Sequence, residues 1–260
     1  DGRYQACMGV ATADVDGNGL IDLFITNFSD ESNTLYQQIE TGFFADETRV
    51  AALRDPSFAY VGFGTQFLDA DLDSDPDLLL TNGSLSKTMP VPQLTAELPS
   101  QVFENQSGHF RELSAAQAGN FFSRKSLGRG MFRCDWNRDG KQDACISFLD
   151  EPAALLTNTT KTDHFWIGIR LVGTTSERIP IGTSVTIHSQ EKTQTSQLTA
   201  GDGYMSSNEK ELILGLGNSS QADSVTVRWP DGSVSSIEKL SAGQRYLIIQ
   251  GEKNALSLSH

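Results

Sequence analysis

The sequence predicts an all-β protein in two parts: a run of repeated strand units and a smaller β-sandwich-like module. Three observations carry that expectation. A nine-residue acidic loop occurs three times, each copy leads into a short apolar strand, and the loops stop near residue 160 while strand patterns continue.

The loops read Asp14-Val-Asp16-Gly-Asn18-Gly-Leu20-Ile-Asp22, Asp69-Ala-Asp71-Leu-Asp73-Ser-Asp75-Pro-Asp77 and Asp135-Trp-Asn137-Arg-Asp139-Gly-Lys141-Gln-Asp143. Each has Asp at positions 1 and 9 and Asp or Asn at positions 3 and 5. Calcium takes six to eight oxygens at flexible geometry, and this spacing supplies them from side chains, with the carbonyl of position 7 (Leu20, Asp75, Lys141) between them. A single copy reads equally as a solvated acidic turn; three copies in register favour a metal loop. The expectation is about three calcium ions per chain, one per loop. An EF-hand requires Glu at position 12 and a following helix. Here position 12 is Ile25, Leu80 or Ile146, within the strand-like exits Leu23–Thr26, Leu78–Thr81 and Ala144–Ser147. The metal is therefore expected inside a β-hairpin.

A glycine stands five residues before each first Asp (Gly9, Gly64, Gly130), followed by a strand-like stretch. After each exit come Asn33–Tyr36, Ser100–Glu104 and Ala154–Thr157, and in the first two repeats a Gly-x-Phe step (Gly42–Phe44, Gly108–Phe110). The expected unit is four strands, the period of a β-propeller blade. Three units are too few to close a propeller. Either preceding blades are missing, the favoured reading, or the units form an open arc packed against the rest of the chain. Asp1 is not an initiator Met, which reads as a mature or excised fragment. The stretch 84–100 contains Pro90, Pro92 and Pro99 and is expected to be irregular.

Gly62-Phe-Gly-Thr-Gln-Phe-Leu-Asp-Ala-Asp-Leu-Asp and its two partners resemble FG-GAP/VCBS repeats, over about residues 1–158. The resemblance implies structural calcium held by the loop positions, away from the ligand face. Loop 2 departs from its partners by Ser74, where they have glycine, and by Pro76, which puts its turn geometry in question.

Beyond residue 160, strands are expected at 164–172, 184–188, 193–199, 211–214 (before Gly215-Leu-Gly217), 225–229, 234–237 and 244–250, an all-β sandwich of residues 159–251 with 252–260 as a tail. The wording His164–Gly173, Ile181–Val185, Gly201–Ser206, Leu214–Gly217 and Val227–Gly232 resembles the ASPIC/UnbV domain. Repeats of this kind followed by this domain are similar to the cartilage acidic protein family. That resemblance implies a calcium-dependent protein that is extracellular, at the cell surface or periplasmic, and it hands over no reaction.

The net charge of −13 argues against nucleic acid, which requires a basic face. Eleven of the 33 acidic residues lie in the loops, and three divalent ions would bring −13 to −7. No apolar run approaches a membrane span. Cys134 and Cys145 flank loop 3 and either bridge its hairpin or stay, with Cys7, as buried free thiols. Five Asn-x-Ser/Thr sequons begin at Asn27, Asn82, Asn105, Asn158 and Asn218. No catalytic constellation emerges. His109, His164, His188 and His260 form no zinc pair, and Ser84-Leu-Ser-Lys87 stands without supporting motifs. Asp202 and Tyr204 form the most site-like turn outside the loops, or a tight turn with Tyr204 as a packed anchor. The expected function is an interaction or adhesion module with a protein or glycan partner. The alternative is an enzyme acting on polysaccharide or a natural product, in a cleft between repeats and sandwich.

Overall fold

Apolar residues alternate or run together in stretches of four to eight residues along the chain, and each stretch forms a strand. The computed structural model describes residues 4–88, 95–190 and 192–258. Pro90, Pro92 and His260 lie outside these. Unit 1 is an antiparallel sheet of β1 (Val10–Ala13), β2 (Asp22–Ile25), β3 (Thr34–Glu40) and β4 (Phe43–Asp46), followed by the one-turn helix α1 (Arg54–Ser57). Unit 2 has β5 (Gly62–Leu68), β6 (Asp77–Asn82), β8 (Gln101–Gln106) and β9 (His109–Glu112), with the two-residue β7 (Leu98–Pro99) before β8. Helix α2 (Ala115–Ala118) and β10 (Lys125–Ser126) follow, and β10 pairs with β7, where Pro99 sits in an edge pair that tolerates it. Unit 3 contains β11 (Gly128–Cys134), β12 (Asp143–Phe148) and β13 (Ala154–Leu156). Among the described residues the expected fourth strand is missing there, because the chain after Asn158 runs to the sandwich and does not turn back.

The units stand side by side in the manner of propeller blades. β1 packs beside β5 and β5 beside β11. The repeated glycines permit this approach: a Cβ on Gly9 would come within 2.3 Å of the Phe63 carbonyl, and one on Gly64 within 2.5 Å of that of Arg129. Unit 2 is covered on both faces, so β6 is buried throughout. Leu78 and Leu80 join Phe24, Leu35, Phe67, Phe103 and Phe110 between units 1 and 2, while Leu79 joins Met131, Ala144 and Ile146 between units 2 and 3.

The sandwich comprises β14 (Phe165–Val172), β15 (Ser184–Ser189), β16 (Lys192–Gln197), β17 (Glu211–Gly217), β18 (Gln221–Arg228), β19 (Val234–Ser241), β20 (Gln244–Ile249) and β21 (Leu256–Leu258). Its sheets are ordered β17-β14-β20-β21 and β16-β15-β18-β19. Both contribute to one core, including Ile167, Leu214 and Ile248 from the first and Val185, Val225 and Trp229 from the second strand set and its turn. The stretch expected as a tail holds β21, which pairs with β20.

The main apolar cores of repeats and sandwich are separate, and Tyr204 joins a small repeat cluster of Val61, Phe63 and Leu98, so the junction between them is largely polar. Segment 201–206 reaches from the sandwich to the inner strands, where Gly203 bridges Val10 and Tyr204 packs edge-on against Phe63 at 5.2 Å between ring centroids. Tyr204 is thus a packed anchor. Cys7 is exposed and Cys134 and Cys145 are half-buried free thiols. Cys134 faces Asp143 and Cys145 faces Phe132 across β11 and β12, so the two are not cross-strand partners.

Candidate metal centre

All three acidic loops fold on one hydrogen-bond frame. Position 1 accepts from the backbone N–H of position 6: Gly19 to Asp14 at 3.0 Å, Ser74 to Asp69 at 2.9 Å and Gly140 to Asp135 at 2.8 Å. Position 3 accepts from position 5, and position 5 from position 7, in every copy. Position 9 accepts from position 2 with one oxygen (Asp22, Asp77 and Asp143) and with the other from the third strand, through Gln38 and Asn105, or from just past it, through Asn158. Positions 4 and 6 are left-handed throughout. At position 6 Ser74 has φ 80°, beside 86° for Gly19 and 87° for Gly140. Ser74 therefore takes the glycine conformation, which its side chain supports by donating to the Gly215 carbonyl at 3.0 Å.

The frame concentrates negative charge under the sandwich. Carboxylate oxygens of Asp14, Asp16 and Asp22 lie within 4.8 Å of one another, as do those of Asp69, Asp71 and Asp73. The Oδ1 atom of Asp14 is buried without a hydrogen-bond partner. A buried acceptor beside two other carboxylates fits a hard cation, whose charge and open coordination positions would satisfy it. Burial, reinforced by neighbouring carboxylates, pushes Asp14 up to about 7, Asp22 and Asp73 to about 6 and Asp77 to about 8. Asp69 is raised by the same causes, burial first.

Each loop touches the sandwich. Thr195 of β16 donates its N–H to Asp14 at 3.2 Å. Gly215 of β17 lies directly on loop 2, where a Cβ would meet Asp69 Oδ2 at 2.1 Å, and Gly217 N–H donates to the Leu72 carbonyl at 2.9 Å. Lys192 Nζ donates to the Asp73 carbonyl at 2.6 Å and pairs with Asp75 at 3.3 Å, while His164 Nδ1 lies 3.0 Å from the Asp71 carbonyl. On loop 3, Arg245 of β20 is almost wholly buried and pairs with both Asp135 and Glu211, themselves buried. Trp166 covers Gly140, whose missing side chain makes room for the indole ring.

Loop 3 differs from the others at position 3, where Asn137 stands in place of the Asp16 and Asp71 carboxylates that complete the clusters of loops 1 and 2. Arg245 already supplies a cation to Asp135, and Lys141 at position 7 lies 3.8 Å from Asp139. Leu20 and Lys141 take their places in the turns, as does Asp75, whose side chain faces Lys192 and accepts from Ser107. Asn18 and Asn137 are bonded to the acid two residues away.

Other sequence candidates resolve into structure. Asp202 sits in a buried polar group with Asn208, Gln66 and Arg133, and burial raises its carboxyl against the pull of Arg133. The cavity at the junction, lined partly by Arg133, Asp135, Asn208 and Glu211, has about 10 Å³, room for one water. Lys87 of the Ser-x-x-Lys match is paired with Glu97 and Asp150. Asn27, Asn82, Asn105 and Asn158 use their side-chain amides in hydrogen bonds within the fold, whereas Asn218 is exposed. Sequence reasoning missed Arg245, Glu211 and Gly215. A charged residue inside the apolar pattern of β20 was the available signal for Arg245.

Residues 173–255 match the family model described as ASPIC and UnbV. The match covers most of the sandwich. Along 256 residues the chain is 22% identical to human cartilage acidic protein 1, covering 96% of this chain and 37% of that protein. The chain thus spans little more than a third of that relative's length. Both findings support an ASPIC/UnbV module here, and the relative aligns across the repeats as well.

Two outcomes follow from the geometry. Carboxyl groups held above their ordinary 3.8 favour the protonated state in the fold, so their contribution to stability is full below pH about 4 and is lost as pH rises through the range of about 6 to 8. In chelator, the melting temperature should fall between pH 5 and pH 8; a rising curve would contradict the buried-carboxylate assignment. Replacing Arg245 by Met strands Asp135 and Glu211 and should cost about 3–5 kcal/mol in denaturant unfolding. Arg170→Ala, which removes a half-exposed partner of Glu211, should cost less than about 1 kcal/mol.

Proposed function

We propose that the chain is a calcium-clamped interaction module of an extracellular, cell-surface or periplasmic protein, binding a protein or glycan partner. The observation that carries this reading is the shared loop frame, with converging carboxylates in loops 1 and 2 and a buried, unpartnered Asp14 oxygen beneath the sandwich. The ligands would be Asp14, Asp16, Asn18, Asp22 and the Leu20 carbonyl in loop 1, and Asp69, Asp71, Asp73, Asp77 and the Asp75 carbonyl in loop 2. Loop 3 would use Asp135, Asn137, Asp139, Asp143 and the Lys141 carbonyl, and bind most weakly because Arg245 already neutralises Asp135. The repeats would then be FG-GAP/VCBS repeats with structural calcium.

Support for the setting comes from two directions. The relative is named for cartilage and for acidity, and this chain has a net charge of −13. Among the described residues no helix is long and apolar enough to cross a membrane. Calcium also suits a calcium-rich compartment on energetic grounds. A site with a dissociation constant of ~10 µM in ~1 mM calcium gains about 2.7 kcal/mol by mass action, a gain that nearly vanishes at cytosolic calcium.

Calcium titration by calorimetry, with melting curves alongside, tests the proposal. Two tighter ions and a weaker third should bind and raise the melting temperature. Asp14→Asn and Asp69→Asn should each remove one tight site, and Glu238→Ala none. Absence of calcium binding, with melting unchanged by calcium, would overturn it.

A further inference from the structure

The contact between units 1 and 2 shows what the contact between units 2 and 3 lacks. In the first, Phe110 on the fourth strand of unit 2 is buried among Val15, Phe24 and Leu35 of unit 1 and Leu78 and Phe103 of its own unit. Strand pairing fixes the counterparts one unit on. Val15 and Ala70 both follow the first loop Asp. Phe24 faces Leu35 as Leu79 faces Val102, and Leu78 faces Phe103 as Ala144 faces Leu156. Among the described residues Phe110 has no counterpart, because unit 3 ends at its third strand.

In that place lies a cavity of about 460 Å³, within the size range of ligand pockets, and Ala70, Leu79, Val102, Ala144 and Leu156 all line it. The residue opposite the missing side chain is also in place. Phe110 pairs with Asn105, whose N–H donates to Asp77 and whose side chain donates to the Val15 carbonyl. Asn158 makes the same two bonds one unit later, to Asp143 and to the Ala70 carbonyl. Among the described residues, no strand pairs with the outer edge of β13.

We propose that unit 3 binds an extended segment of a partner protein as its fourth strand, antiparallel to β13, with an aromatic side chain of that segment filling the cavity. The site continues an interface the chain already builds between units 1 and 2, which identifies the occupant's chemistry. Backbone N–H and C=O groups of the segment would complete the sheet edge, and the aromatic ring would cover the apolar wall. This goes beyond the calcium reading.

The probe is a synthetic peptide copying residues 106–113, Gln-Ser-Gly-His-Phe-Arg-Glu-Leu, added to the whole chain in calcium and followed by backbone NMR shifts. Saturable shifts centred on β13, Leu79 and Val102 are expected. The same peptide with Ala in place of Phe, and one N-methylated at alternate amides, should each bind about tenfold more weakly or worse. Because these changes are in the peptide, the protein's folding is not at issue. Filling the cavity with Ala144→Leu, the residue unit 2 has at that place, should also weaken binding. Absence of binding, equal binding of the Ala or N-methylated peptide, or self-association of the chain lost in Phe44→Ser would each overturn the proposal, the last by assigning the edge to a second copy.

Discussion

Negative charge buried at a polar junction is the constraint on which the rest of this structure depends. Three turns, each presenting three or more carboxylates, lie between strands of a repeat and the underside of a β-sandwich. Apolar packing reaches across that junction through Tyr204 against Phe63, and elsewhere the contact is largely polar, so its strength depends on how the charge is satisfied. The protein uses backbone N–H groups first, in an arrangement repeated three times. It then adds Lys192 at loop 2 and Arg245 at loop 3, both from the sandwich. Loop 1 has the least side-chain compensation and contains the unpartnered Asp14 oxygen. The demand for a cation is thus unequal among loops of one sequence pattern.

Arg245 shows how repeat and sandwich are tied. Its guanidinium is buried between Asp135 and Glu211, close to the Trp166 ring that closes over Gly140. A buried ion pair of this kind adds little over an apolar replacement, yet losing one partner is costly. Arg245 ties β20 of the sandwich directly to loop 3 of unit 3. Among the described residues, loops 1 and 2 have no comparable fixed guanidinium, and metal ions would supply the equivalent there.

Much of this was legible in the sequence because the informative residues are local. The loop spacing, the strand-forming exits and the recurring glycine depend on residues within about ten positions of one another, and each sits where its pattern placed it. Ser74 was harder. Its left-handed turn is held by Asp69 and by Gly215, which lies far along the chain. Arg245, Lys192 and Gly215 belong to strands whose pattern says only that they are strands, and their roles arise when the sandwich docks. The four-strand pattern expected of every unit fails in unit 3, which also lacks the Gly-x-Phe step of the first two. The cavity this leaves required the neighbouring unit to be seen.

If cations lock the sandwich onto the repeats, their effect must cross the junction. Amide hydrogen exchange with and without calcium measures this directly. The account predicts that calcium slows exchange in the loops and also at Thr195 and Gly217, whose N–H groups donate to loops 1 and 2, while Val225 and Val227 in the sandwich core change little. Slowing confined to the loops, or the same at every sandwich strand, would contradict a junction held by metal.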